Sequence, residues 1–438
     1  MNRLVTLARE TVQQGALPGQ SRADLDGLRQ SALATLEAHG FPDSRSEAFR
    51  YSRSKRLENM AFADAPGAVV EGATAMEAYL SPIRIAGAWS MVFVDGHYHA
   101  ACSTPAVGDG LLCQNMTGFL EDKRTDDLPF PIEADDHGWM QANQACFSDG
   151  VVIMAEAGCR LEQPLQIIHV STRAAAPVYV RNHVHMGADS HIDILESWLD
   201  ISSSATLVNA VTDIQLDDHA SLSLVRLDED DRILANRLAH HRIHAGTHST
   251  YRQHTFHLGG SLLRQETRIQ LQQHASCSTE GLFMTRDRQE SGHQLLIEHK
   301  APDASSQVRY HGLADQASRG IFQGRILVGN HADRTVADMQ SKNLLLSDQA
   351  EIDAMPQLEI HADDVRCAHG VSIGQLDETA IFYLESRGIA RPEAVRLLMA
   401  GFANSMTDPI VHHGLRTHVR ARLAVNLQFA PESFGLEP

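Results

Sequence analysis

The chain has 438 residues, 43% of them hydrophobic, and a formal net charge of −18. This acidic balance argues against nucleic acid as the main partner, because binding to phosphates requires a basic face. No run of 18 apolar residues and no apolar N-terminal segment is present, so neither a membrane span nor a signal peptide is expected. The six scattered cysteines form no C-x-x-C pair, which favours reduced thiols in a cytoplasmic protein.

The first 60 residues are predicted to be mainly helical, with one helix ending near Gly40. A polar segment, residues 42–52, follows and contains Phe49 and Tyr51. We interpret it as a surface turn whose two aromatic side chains attach it to the next domain.

Residues 61–80 are rich in Ala and Gly and are predicted to be a linker. Beyond it the pattern changes to short strands, beginning with an apolar run that enters a turn at Asp95-Gly96.

The central part of the chain contains many short runs in which apolar and polar residues alternate. These runs are Val151–Ala155, Leu165–Val170, Val178–Val184, Ile192–Leu195, Leu207–Leu216, Leu222–Leu227, Tyr251–Leu258, Leu263–Leu271, Leu295–His299, Ile321–Val328 and Ile352–Ile360. No helix of 10–15 residues separates them, so a sheet wound from β-α-β units is not expected.

Several predicted turns carry a polar residue followed by Ala, as at His219-Ala220 and His274-Ala275. Small residues recurring at turns between short strands suit a coil that stacks on itself, in which each turn of the chain buries its inward face on its neighbours. We therefore predict a mainly β protein built on a parallel β-helix. A two-sheet sandwich is the alternative with the same periodicity.

The C-terminal part is predicted to return to helix. Asp377 is the expected N-cap of a first helix that ends before Gly388. Pro392 is expected in the first turn of a second helix, and Pro409 at the start of a third. These helices either seal the end of the strand region or present a surface to a partner.

Cys367 and His369 are the leading candidate site. They lie two residues apart in a segment that looks extended, so their side chains point to the same side. A thiolate and an imidazole on one side can share iron or zinc. The spacing alone does not specify a ligand set, and a purely structural role is the alternative.

Adjacent carboxylates at Asp363 and Asp364 suggest a second class of function, since some β-helical enzymes cleave polysaccharides with paired acids. Neighbours in a strand face opposite ways, so a turn or capping role competes with this hydrolase or lyase hypothesis.

Two His-x-His pairs, His97 with His99 and His183 with His185, suggest a zinc-binding structural protein as a third hypothesis. The chain has no phosphate-binding loop, no nucleophile elbow, no H-E-x-x-H and no dinucleotide-binding glycine motif.

Residues 362–374 (ADDVRCAHGVSIG) and 381–389 (IFYLESRGI) resemble the C-terminal signature of the SufD branch of the SufB/SufD family, the scaffold proteins of the SufBCD iron–sulfur cluster assembly complex. Three further segments, 45–52 (RSEAFRYS), 92–98 (VFVDGHY) and 142–150 (ANQACFSDG), are similar to family segments. The SufB branch carries Gly-His-Glu where this chain has Ala-His-Gly around His369.

The resemblance implies a right-handed parallel β-helix, residues 81–374, between an N-terminal helical domain with its linker, residues 1–80, and a C-terminal helical domain, residues 375–438. It further implies a non-catalytic scaffold that pairs with a SufB-like paralogue through the β-helices. The C-terminal helices would dock a separate SufC-like ABC ATPase. Whether the isolated chain forms a homodimer is left open by the resemblance.

The resemblance also implies a role for His369 and, with it, Cys367. Both would face the interface with the paralogue and help receive transient iron or a nascent cluster, with no stably bound cofactor. Nothing in the sequence marks a flavin site.

Overall fold

The computed structural model describes residues 2–15, 17–19, 22–62, 72–105, 108–122, 137–172, 176–230 and 234–429. Most of this chain is β-structure, with helices towards both ends. The α-helices are α1 (Arg3–Gln14), α2 (Ala23–His39), α3 (Ala73–Leu80), α4 (Met116–Glu121), α5 (Gly138–Cys146), α6 (Glu378–Ser386), α7 (Arg391–Asn404) and α8 (His413–Asn426). Short 3-10 helices lie at Glu47–Phe49, Ser54–Asn59, Ser81–Ile83 and Ala100–Cys102. Among these helices, none has the length and apolarity that crossing a membrane requires.

The strands are β1 (Trp89–Val94), β2 (His97–Tyr98), β3 (Leu111–Asn115), β4 (Val151–Ala155), β5 (Leu165–Ser171), β6 (Val178–Met186), β7 (His191–Asp200), β8 (Thr206–Leu216), β9 (Ser221–Asp228), β10 (Ala235–Ala245), β11 (Thr250–His257), β12 (Leu262–Leu271), β13 (Ser276–Thr285), β14 (Glu290–His299), β15 (Ser305–Ala314), β16 (Arg319–Val328), β17 (Thr335–Leu345), β18 (Glu351–Ile360) and β19 (Val365–Gly374). The turn expected at Asp95-Gly96 joins β1 to β2, and both of its residues have positive φ.

The strands form two sheets that the chain visits alternately. Sheet A has the order β19-β17-β15-β13-β11-β9-β7-β5-β1-β2, and sheet B the order β18-β16-β14-β12-β10-β8-β6-β4-β3. Pairing is parallel throughout the body of both sheets. One coil therefore contributes one strand to each sheet, and the pairs from β5/β6 to β17/β18 make seven coils. This confirms the predicted parallel β-helix and excludes the sandwich.

The interior between the sheets, here called the lumen, is filled by every second residue of each strand. Equivalent residues stack from coil to coil, as Ile192, Leu222, Tyr251 and Cys277 do along sheet A. These side chains belong to one continuous buried apolar cluster. Strands buried on both faces lose the simple alternation of apolar and polar residues, because neither face is exposed to water.

The corners that lead from sheet B into sheet A repeat one backbone device. His219, His248 and His274 have φ of 61°, 59° and 57°. The N–H of His219 donates to the carbonyl of Thr247 at 2.9 Å, one coil further on, and the next residue, Ala220, is fully buried. The left-handed residue turns the chain and the small residue fits inside the corner. The predicted turns at His219-Ala220 and His274-Ala275 are confirmed.

The N-terminal region covers the outer face of sheet B. Helices α1, α2 and α5 pack together, and Phe49 is buried against Leu238 and Leu262 of β10 and β12. The hydroxyl of Tyr51 lies 3.6 Å from the sulfur of Met355 on β18. The predicted attachment of this segment through its two aromatic residues is therefore confirmed.

The predicted linker is only partly described, since residues 63–71 lie outside the described ranges. Within the remainder the prediction is wrong, because residues 73–80 form α3. This helix buries Met76 and Leu80 against the outer face of sheet A. Its high Ala content reads as flexible in sequence, yet Ala favours helix once two larger apolar residues can be buried.

Helices α7 and α8 lie along the outer face of sheet A and do not seal its end, and α6 packs against α7. Leu415, Val419 and Leu423 of α8 pack against a row that includes Leu227 and Phe256. The sealing role is therefore wrong.

The predicted helix boundaries in this region are largely confirmed. Asp377 caps α6 by accepting from the N–H of Thr379 at 2.8 Å, and Pro392 lies in the first turn of α7. The third helix begins at His413 and not at Pro409, because the imidazole of His412 accepts from the N–H of Leu415 at 3.2 Å and provides the cap.

The two ends of the β-helix differ. At the N-terminal end, β2 and β3 pair antiparallel with β1 and β4 and close the sheets with short strands. At the other end, no described strand pairs with the outer edges of β18 and β19. We call these two edges, with the side chains of β19, the open end.

Candidate functional site

Cys367 and His369 lie on β19 at the open end. Their register partners on β17 are Ala337 and Met339, whose side chains are buried in the lumen. Because parallel strands in register align their faces, Cys367 and His369 share the face of β19 that continues the lumen. The last strand carries no further coil above it, so this face ends at solvent.

The two side chains differ in environment. Cys367 is half-buried and packs against the apolar core, whereas His369 is exposed. Burial raises the pKa of Cys367, and a hydrogen bond from the backbone of Ala337 opposes part of the rise. The thiol is therefore the resting form, and binding of a metal would release its proton.

Cys367 and His369 have no third potential ligand among the described residues. Across those ranges, no group of three or more His, Cys, Asp or Glu ligand atoms includes either of them. Since a structural zinc site normally has four protein ligands and a catalytic one three, a metal bound by this pair would need further ligands.

The outer edge of β19 has few of the features that usually protect an edge strand, and Arg366 is its one Lys, Arg, Asp or Glu residue. Its ten residues contain no Lys and no Pro, and Val371 and Ile373 are 39% and 45% exposed. Long apolar edges of this kind pair with strands of another chain unless charge, proline or a bulge prevents it. The edge is suited to strand addition by a partner.

Asp363 and Asp364 lie exposed in the bend between β18 and β19. The carbonyl of Asp364 accepts from the N–H of Arg334 and so serves the corner of the coil. A general acid needs a carboxyl that is shielded from water, which an exposed bend does not provide. The hydrolase or lyase hypothesis is not favoured.

The two His-x-His pairs are not joined by a third ligand within the described part of the chain. His97 is exposed on β2. Burial lowers the pKa of His183 to about 4, and His185 pairs with Asp217 at 3.1 Å. The geometry gives no support to zinc binding by these pairs.

One ligand cluster was missed by sequence reasoning. His137, His240 and Glu266 bring their ligand atoms within 4.8 Å of one another, and they are the only such group among the described residues. His240 and Glu266 are register partners on β10 and β12. A coil length of 26 residues at this point would have placed them side by side, but the irregular spacing of the repeats concealed it.

The second motif of the C-terminal signature lies on α6. Ile381 is buried, whereas Phe382 and Tyr383 are 71% and 56% exposed. The guanidinium of Arg387 lies over the ring of Tyr383 at 5.1 Å. Exposed aromatic residues beside Arg are typical of protein-binding surfaces, so α6 is a candidate docking face.

Comparisons with known proteins bear on the whole chain. The family model described as "SUF system FeS cluster assembly, SufBD core domain" matches residues 169–402. The chain is 28% identical to the iron–sulfur cluster assembly protein SufD of Escherichia coli K12 over 404 residues, which cover 91% of this chain and 92% of that protein. It is 26% identical to an iron–sulfur cluster assembly SufBD family protein of Synechocystis, over 93% of this chain and 92% of the relative. A SufD of Bacillus subtilis is 23% identical over 65% of this chain and 66% of its own length.

Proposed function

The chain belongs to the SufBD family of iron–sulfur cluster assembly proteins, and we propose that it is a SufD-type, non-catalytic scaffold subunit of a cytoplasmic SufBCD complex. In this role it helps to receive iron and to form a cluster at its interface with a SufB-like paralogue. Iron and the nascent cluster are cargo, and no resident cofactor is required.

The observation that carries the proposal is the position of Cys367 and His369. They are displayed together on the lumen face of an uncovered strand. A thiol and an imidazole with no third ligand among the residues that the structure describes suit a site that a second chain completes. Such a site binds iron only in the assembled complex and releases it when the interface opens.

The SufB-like paralogue is proposed to add its strands to the outer edges of β18 and β19. Both strands are ten residues long, so an antiparallel or parallel partner of similar length can form main-chain hydrogen bonds along them, except at Pro356 of β18, which has no N–H to donate. A second copy of this chain meets the same requirement, so pairing of two copies is the proposed alternative when the paralogue is absent.

A SufC-like ABC ATPase is proposed to dock on the C-terminal helices. This chain has no phosphate-binding loop, so ATP hydrolysis belongs to a separate subunit. The helices are attached to sheet A by a buried apolar cluster. A displacement at the helices would therefore move the β-helix as one body and act on the interface at its open end.

The decisive experiment is replacement of His369 by Ala in the chain co-expressed with SufB-like and SufC-like subunits. We expect the complex to assemble, because His369 is exposed and supports no packing, but iron content and cluster absorbance of the anaerobically reconstituted complex should be lost. Mass analysis of the intact complex and iron determination measure the two effects separately.

The matched control is His361→Ala. His361 is also exposed near the open end, but its imidazole pairs with Glu359 at 3.0 Å. This variant should keep its iron. Full cluster formation by the His369 variant would contradict the assigned role, and loss of iron in both variants would show a general effect of histidine removal.

A further inference from the structure

A second set of potential metal ligands lies far from the open end, on the outer face of sheet B. His240 on β10 and Glu266 on β12 are adjacent in register and point outward, opposite to the lumen-facing Ile243 and Ile269. His137 is the residue that precedes α5, and its imidazole reaches these two side chains. The cluster thus joins two strands of the β-helix to the helix packed upon them.

The donor atoms are spaced as ligands of one ion would be. Nε2 of His137 lies 2.9 Å and Nδ1 of His240 lies 3.5 Å from the same carboxylate oxygen, Oε2 of Glu266. In a tetrahedral zinc site with bonds near 2.0–2.1 Å, neighbouring donors are roughly 3.3 Å apart. A small adjustment of the side chains would place an ion between the three atoms.

The carboxylate is held in position by a neighbour. Nε and Nη2 of Arg264 contact Oε1 of Glu266 at 2.8 and 2.7 Å, which leaves Oε2 directed to the two imidazoles. Arg264 in turn lies over the ring of Phe49. Ligating carboxylates are commonly fixed in this way by a second hydrogen-bonding group.

Nε2 of His137 and Nδ1 of His240 face Glu266, and these are the nitrogens that would hold the ion. The opposite nitrogens, Nδ1 of His137 and Nε2 of the buried His240, have no hydrogen-bond partner among the described residues, so no second hydrogen bond there fixes either ring. The cluster lines a cavity of about 120 Å³ whose wall includes Met140 and Gln294, so there is room for an ion with a water at a fourth position.

We propose that His137, His240 and Glu266 bind one divalent ion of the zinc class and thereby fasten α5 to sheet B. Two imidazoles and one carboxylate are a ligand set that zinc accepts, with one position left for water. The site is separate from the open end in sheet, strand and ligands. It goes beyond the scaffold role and stands or fails independently of it.

The fastening has a structural consequence. Every residue of α5 is buried, and α5 packs with α1 and α2. An ion that bridges His137 to β10 and β12 therefore links the N-terminal helices to the β-helix. An ion that binds the folded chain but not the unfolded chain raises the melting temperature.

The test uses the full chain after treatment with a chelator, titrated with ZnCl₂ by calorimetry and with CoCl₂ by visible absorption. We expect one tight site per chain. His137→Gln should weaken zinc at least tenfold, and Glu266→Gln should do the same. Zinc should raise the melting temperature of the unchanged chain but not that of either variant.

Two controls separate this site from others. Cys367→Ser combined with His369→Ala should retain the tight site. His185→Gln should retain it too, since it breaks a histidine–carboxylate pair that has no third ligand within the described ranges. Because Glu266 also accepts from Arg264, its replacement disturbs packing, and the His137 variant decides the matter. The proposal would be overturned if the His137 variant bound zinc as tightly as the unchanged chain, or if the unchanged chain showed no one-to-one site. It would also be overturned if the variant's melting temperature fell below that of the unchanged chain by the same amount with and without zinc.

Discussion

A network of buried charges crosses the lumen near its middle. Asp228 accepts from Nε of Arg226 at 2.8 Å and contacts Arg237, and Arg226 also reaches Glu196 at 2.9 Å. Both guanidinium groups lie near 5 Å from the ring of Trp198. Burial alone would raise the pKa of Asp228, but the two arginines hold it well below its usual range. Mutual pairing therefore keeps these buried groups charged.

Replacing Asp228 by Asn should destabilise the chain strongly, because it leaves two buried guanidinium groups with too little negative charge. Removal of one partner from a buried ion network costs about 3–5 kcal/mol. The urea midpoint of unfolding measures the loss. Asp303→Asn is the control, since Asp303 pairs with Arg334 at the surface and its midpoint should hardly change. An equally small change at Asp228 would contradict the network's role.

At this scale the sequence predicts less than the structure contains. The i, i+2 spacing of Cys367 and His369 was enough to place them on one face once the segment was judged extended. The lumen charges were not predicted, because Arg and Asp within a strand normally indicate a solvent-exposed face. The His137 cluster was not predicted either, since its members are far apart in sequence and meet only through the coil.

Strands with a clear apolar pattern were predicted closely. The predicted Val151–Ala155 coincides with β4, and Ile352–Ile360 falls one residue short of β18. Strands β10, β13, β15 and β17 were missed. They bury polar residues such as Arg237, Thr279 and Asn343, so their composition resembles that of loops. Thr279, for example, is the register partner of Gln253 on β11. Pairing with two neighbours, and not local propensity, makes them strands.

The helix α6 combines one buried and two exposed apolar residues on consecutive positions. Ile381 attaches it, whereas Phe382 and Tyr383 face outward. The segment is predicted as a capped helix, but the element it packs against is not predicted. In the structure α6 packs against α7, a contact that the local sequence pattern of α6 does not show.

Phe382→Ser should weaken binding of a SufC-like ATPase by roughly tenfold, since an exposed aromatic residue at the centre of a docking face contributes a large share of affinity. The melting temperature of the free chain should not change. Val411→Ser is the matched control, because Val411 is 68% exposed but lies outside α6. Pull-down with the purified ATPase compares the two. Equal binding by both variants would place the docking face elsewhere.

The whole β-helix holds neutral histidines in its interior. Burial lowers the pKa of His169 and His241 to about 3, and that of His257 to about 4. In the unfolded chain a histidine titrates near pH 6.5. Below that value the unfolded chain takes up protons that the folded chain does not.

Stability should therefore be insensitive to these groups above pH 6.5 and should fall as the pH drops from 6.5 towards 4. Each histidine contributes up to ~1.4 kcal/mol per pH unit in that range. Urea unfolding at pH 7.5, 6.0 and 5.0 tests this, with His219→Asn as the control for an exposed imidazole. A urea midpoint that is the same at pH 7.5, 6.0 and 5.0 would refute it.

The unequal ends of the β-helix limit how far association can proceed. One end is closed by β2 and β3, and the long unpaired edges of the described strands lie at the other. When two chains pair through their open ends, the unpaired edges of both chains are covered in the same interface. Growth thus terminates at a pair and cannot continue into a filament, whichever protein supplies the second half.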